Sequence, residues 1–99
     1  DVNVIKFAAE MVTSQAEDAN ALRRMEEGEV LLLIDALYAL TEAVQGPCSK
    51  NQDLICAHPG FISTMDAILG SPFNAHVSKE TRLDVKTTAL TLLASRKIK

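Results

Sequence analysis

Two cysteines and two histidines carry most of the reactive chemistry this chain could offer. Cys48 follows Gly46-Pro47, where a helix is expected to begin. A thiol at a helix N-terminus is acidified, and with His58 or His76 as base it would make a cysteine nucleophile. No Gly-rich nucleophile turn surrounds it, however, and the helix it enters must pack. Cys48 therefore reads as a structural, inward-facing cysteine, the usual fate of that residue type. A metal centre would have to use Cys48, Cys56 and His58. Their Cys-x7-Cys-x-His spacing lacks the two close pairs of zinc modules, and no fourth ligand stands nearby. The run Glu26-Glu27-Gly28-Glu29 could be offered to calcium, but its carboxylates lack the alternating spacing of a calcium loop. It reads as a solvated corner, with Gly28 as a helix breaker. No catalytic, metal or cofactor-binding residues are assigned, and the chain reads as non-enzymatic.

One set of side chains keeps a possible role in recognition. Asp35, Tyr38 and Glu42 recur at i, i+3 and i+7, so they share one stripe of a helix. A partner-contact stripe of two carboxylates and a phenol would suit a basic partner.

The elements that carry these residues are helices. VLLLIDALYALTEAV, residues 30–44, contains neither Gly nor Pro and is apolar nearly all round. It predicts a helix buried on most of its surface. Gly46 ends it, and Pro47 suits the first turn of a short helix running to about Ala57. After the His58-Pro59-Gly60 corner, Phe61, Ile62, Met65, Ile68 and Leu69 make an amphipathic helix closed by Gly70. Residues 71–77 read as a loop, in which Phe73 is either an exposed anchor for a neighbouring domain or folds back on the core. Ser78 is a good N-cap for a last helix with Val85, Ala89, Leu92 and Leu93 inward and Asp84, Thr88, Thr91 and Ser95 opposite. Ahead of all these, residues 2–13 carry a helical stripe. Ser14 opens a capping box for a second short helix bearing Ala21, Leu22 and Met25. The prediction is an all-α chain of five to six helices.

Composition agrees. Hydrophobic residues make up 47% of the 99 positions but aromatic ones only 4%, so the core is aliphatic and helices are favoured over a β-sandwich. The net charge of -3, with scattered basic residues, disfavours nucleic acid and anionic membranes. No apolar run reaches the ~18 residues that span a bilayer, and no signal segment opens the chain. Two cysteines fit a reducing compartment better than a disulfide scaffold. The chain begins with Asp1 and is expected to be a single domain, residues 1–99, cut from a longer protein.

The order of long helix, corner, short helix, corner, amphipathic helix and long helix resembles one unit of a helical solenoid. The long helices share a phrase, IDALYALTEA against TTALTLLASR. The offset between Ala36 and Ala89 exceeds the ~40–47 residues of armadillo or HEAT units, and the 71–77 loop would absorb the excess. NQDLICAHPGFISTMDAILGSP followed by ALTLLAS looks like an armadillo repeat. More narrowly, ALYALTEAVQGPCSKNQDLICAHPG resembles the helical domain that follows the paired homology domains of inositol trisphosphate receptors and ryanodine receptors, and is closer to the former. The match lies in a long helix, then Gly46, Pro47 and Cys48, two variable residues, then Asn51 and Gln52, and it is best over residues 30–96.

This resemblance implies a cytosolic module of a tetrameric calcium-release channel of the endoplasmic reticulum, coupling ligand-sensing domains to the pore. Its partners would be neighbouring domains of the same chain, and the Gly46–Gln52 corner would be structural. The alternative is a general armadillo scaffold that binds a protein or peptide on its concave face. Peptide-binding armadillo proteins place Trp and Asn where this chain has Tyr38 and Glu42, and Thr91 and Ser95, so a dedicated backbone-gripping groove is disfavoured. A slice of a solenoid exposes apolar surface at its cut faces, including Leu90 and Leu93, so self-association is expected.

Overall fold

A computed structural model describes residues 19–46 and 60–95. These form four α-helices and no strand: α1, Ala19–Arg24; α2, Glu27–Gln45; α3, Phe61–Gly70; and α4, Lys79–Ser95. The expected helices over 2–13 and 47–57 lie outside the described residues, as do Pro47, Cys48, Asn51, Gln52, Cys56 and His58. The protein is all-α.

α2 begins three residues earlier than its apolar run. Gly28, expected to break the helix, lies inside the first turn. Glycine costs up to about 1 kcal/mol in a helix interior, but the first-turn N–H groups have no intrahelical partner to lose. The carboxylates around Gly28 also favour this end. The Glu26 N–H donates to Glu29 Oε1 at 3.1 Å, the Val30 N–H donates to Glu26 O at 3.0 Å, and acidic side chains suit a helix N-terminus. At the other end Gly46 stops the helix in extended backbone, φ -68° and ψ 172°, not in the left-handed conformation usual for a glycine stop.

The core is aliphatic. Val30, Leu33, Ile34, Leu37, Leu40 and Val44 of α2 meet Val85, Ala89 and Leu92 of α4, with Phe61, Met65 and Ile68 of α3 and Leu22 and Met25 from the α1 end. α2 and α4 share the most extensive interface, α3 lies against α4, and α1 touches α3.

α2 is less buried than its composition implies. Leu31, Leu32 and Tyr38 stand 46%, 58% and 53% exposed, because α2 finds neighbours on one side only among the described residues. α4 departs from expectation in the opposite sense. Thr88 is buried and does not face outward, and Thr81 is buried as well. Thr88 Oγ1 donates to Asp84 O at 2.7 Å, which satisfies the hydroxyl inside the helix and removes the cost of burying it. Leu83 is 65% exposed, and Leu90 stands 55% exposed as expected of an outward apolar residue.

The 71–78 loop folds inward. Phe73 and Val77 are buried in the core, so Phe73 is a core residue and not an exposed anchor. It takes φ 54°, the left-handed region that favours glycine. The Phe73 N–H donates to Ser71 Oγ at 3.1 Å, and an Asx turn follows, with the His76 N–H on Asn74 Oδ1 at 2.9 Å. Burial of the ring offsets the backbone conformation. Gly60, at φ 82° before α3, takes the same region at no steric cost.

Candidate functional site

α2 and α4 run parallel, because their amino ends meet at Glu27 and their carboxyl ends at Gln45. At the amino end Glu27, in the first turn of α2, accepts the Ser78 N–H on Oε1 at 2.8 Å and the Thr81 hydroxyl on Oε2 at 2.5 Å. Ser78 caps α4, its Oγ accepting the Thr81 N–H at 3.2 Å. The single Ser78 hydroxyl proton points to Thr81 Oγ1 at 2.8 Å, which leaves its 3.4 Å approach to Glu27 Oε2 a weak contact. One carboxylate thus serves the N-terminal turns of two helices, where positive dipole ends favour negative charge. The donated hydrogen bonds, that of Thr81 foremost and then that of the Ser78 backbone, hold the Glu27 carboxyl below the usual carboxylate range. Partial desolvation opposes them without reversing the sign.

At the carboxyl end Gln45 Nε2 donates to Ser95 Oγ at 2.9 Å, and Ser95 in turn donates to Thr91 O at 2.8 Å, both in exposed positions. Thr91 also spends its hydroxyl within α4, on Thr87 O at 2.9 Å. Neither Thr91 nor Ser95 therefore holds its hydrogen free for a peptide backbone.

The expected contact stripe is exposed. Asp35, Tyr38 and Glu42 lie on the outer side of α2, and Leu31 extends the line by one turn. On α4 a second stripe was legible in the sequence spacing but went unread: Lys79, Leu83, Lys86 and Leu90 recur at the same 4-3-4 interval. Lys79 and Leu83 are exposed and Lys86 half-buried, with Lys86 Nζ donating to Leu69 O near the end of α3 at 3.0 Å. A cation there suits the carbonyl end of α3. Lys79, Leu83 and Lys86, with Pro72 and Arg82, line an open cleft of about 340 Å³. Arg82 Nε is buried without a hydrogen-bond partner.

The acidic corner offers no calcium loop: Glu29 and Glu27 are engaged as helix-end acceptors. Among the described residues no three His, Cys, Asp or Glu side chains gather as metal ligands, and no helix is long and apolar enough to cross a membrane. His76 lies exposed in the 71–78 loop, and its expected thiol partner Cys48 lies outside the described residues. The Glu27 clamp itself was missed in sequence. Only the Ser78-x-x-Thr81 cap could be read there, and nothing local says that a glutamate some fifty positions earlier reaches it.

No curated protein and no solved structure matches the chain. A family model does, over residues 1–69, a span that includes α1, α2 and nearly all of α3. The chain belongs to the family described as RyR and IP3R Homology associated, a domain of the ryanodine- and inositol trisphosphate-receptor channels.

Proposed function

We propose that this chain is a non-catalytic helical module of an intracellular calcium-release channel, one link of an α-solenoid that carries displacement from ligand-sensing domains toward the pore. Family membership supports the channel context. The observation that carries the mechanical reading is the parallel α2–α4 pair, closed at both ends by side-chain hydrogen bonds around an aliphatic core. Packed neighbouring helices that share one core are the kind of contact through which stacked helical units act on one another. A pair tied at both ends moves as a body, which is what transmission by rigid elements requires. In this reading the segment lies on the cytosolic face of the endoplasmic reticulum membrane, within a homotetrameric channel. Its neighbours are other domains of the same long chain, and the inositol trisphosphate-type channel is the closer relative. The Gly46, Pro47, Cys48, Asn51, Gln52 corner is structural.

The test is calcium flux through the full-length channel carrying Thr81→Val, which loosens the amino-end clamp without emptying the core. Expected is a ligand-response curve shifted in midpoint or steepness, with ligand binding to the sensing domains unchanged. An unchanged flux curve, with the domain measurably loosened, would remove the coupling role. A general adaptor would instead capture a protein partner saturably as the isolated chain and lose it on Glu42→Lys.

A further inference from the structure

The two exposed stripes are complementary to one another. On α2 the outward line reads Leu31, Asp35, Tyr38, Glu42: apolar, acidic, apolar, acidic. On α4 it reads Lys79, Leu83, Lys86, Leu90: basic, apolar, basic, apolar, at the same 4-3-4 interval. That interval keeps each line on one side of its helix, as in the seam of packed helix pairs. Set antiparallel, the lines pair Leu31 with Leu90, Asp35 with Lys86, Tyr38 with Leu83 and Glu42 with Lys79. Every apolar side chain then meets an apolar one, and every carboxylate meets an ammonium.

Within one copy these faces cannot meet. α2 and α4 already pack through their opposite sides, and they run parallel, tied at Glu27 and at Gln45. The four apolar residues are each about half exposed or more: Leu31 46%, Tyr38 53%, Leu83 65% and Leu90 55%. Asp35 and Glu42 are exposed beside them, and among the described residues neither has an ion-pair partner. Lys86 gives one of its three N–H donors to Leu69 O and keeps two.

We infer that the occupant of the α2 stripe is the α4 stripe of a second copy of this chain, in a head-to-tail antiparallel contact. The charge pattern selects this occupant over an arbitrary apolar partner, because each face is matched in register by the molecule's own other face. It also selects against the like-on-like alternatives. In the same antiparallel register α2 against α2 sets Leu31 against Glu42 and Asp35 against Tyr38, and α4 against α4 sets Lys79 against Leu90 and Leu83 against Lys86, so each charge meets an apolar group and no opposite charge. The contact is heterologous, so each copy keeps one face open for the next and mass grows with concentration instead of stopping at a dimer. The inference stands on these two faces and does not depend on the channel reading.

Sedimentation velocity of the chain over a range of concentrations tests it. Wild type is expected to gain mass with concentration at low salt and to lose association near about 0.5 M salt, where the Debye length is a few ångströms. Asp35→Lys/Glu42→Lys and Lys79→Glu/Lys86→Glu are each expected to be monomeric, their apparent Kd raised by at least about tenfold. Mixed together, the two variants are expected to associate again, since the reversed α4 of one then meets the reversed α2 of the other. Lys79→Glu alone, which leaves the Lys86–Leu69 bond in place, serves as the milder form, and circular dichroism confirms that each variant keeps its helices. A wild type that stays monomeric overturns the inference. So does association that survives both reversals, or a mixture of folded variants that fails to associate.

Discussion

The two ends of the α2–α4 pair are closed by different chemistry. At the amino end an ionised carboxylate takes a backbone N–H and a buried hydroxyl at the meeting point of two helix N-termini. At the carboxyl end a neutral amide meets a neutral hydroxyl in the open. Charge-assisted hydrogen bonds are roughly twice as strong as neutral ones, and water competes freely with an exposed pair. The amino end is therefore the more strongly held end of the pair and the carboxyl end the weaker one.

The largest perturbation should erase the comparison altogether. Leu37 is fully buried midway along α2, and Leu37→Ala is expected to cost about 2–5 kcal/mol in chemical unfolding. Amide hydrogen exchange should then rise at both ends together. Thr81→Val keeps the volume of a buried side chain but removes the hydroxyl from Glu27, and a loss of about 1.5–3 kcal/mol is expected. Exchange should quicken at the start of α2 and α4 and stay unchanged near Gln45.

The same end should be acid-sensitive. The folded-state pKa of Glu27 is depressed, so its contribution is fully present above the ordinary glutamate pKa. It is lost as pH falls through the lower folded value. Unfolding midpoints measured between about pH 7 and pH 3 should decline more steeply in wild type than in Glu27→Gln, and parallel declines would mean the clamp carries no charge-dependent stability. Ser78→Ala removes the α4 cap, with a loss of about 1 kcal/mol expected from the same unfolding curves. Gln45→Ala should cost only a few tenths of a kcal/mol. A Gln45 effect equal to that of Thr81 would abolish the distinction between the ends.

Much of the architecture was legible in the residue order. The α3 stripe of Phe61, Met65 and Ile68, the Ser78 cap and the inward Val85, Ala89 and Leu92 all stand where helical periodicity puts them. The corner residues Gly46, Pro47, Cys48, Asn51 and Gln52 pointed to the family that the chain belongs to. The misreadings share one cause. Gly28 within α2, Thr88 turned inward and Leu31 and Leu32 turned outward all depend on what lies beside a helix, and local propensity does not contain that. Phe73 is the sharpest instance: its type allowed either an anchor or a core residue, and the φ of 54° that seats it inside is unfavourable in isolation.

By itself, then, the sequence determined the order of the described helices, the aliphatic core and the family, because each of these rests on spacing within one segment or on a short local pattern. Only the tertiary structure decided that α2 and α4 run parallel and that Glu27 closes one end of the pair. It also showed that two stripes of matching interval and opposite charge face away from the core. Those facts join residues some fifty positions apart. Their contacts are set by the packing of the whole domain, where burial and hydrogen bonding outweigh the few tenths of a kcal/mol by which most local preferences differ.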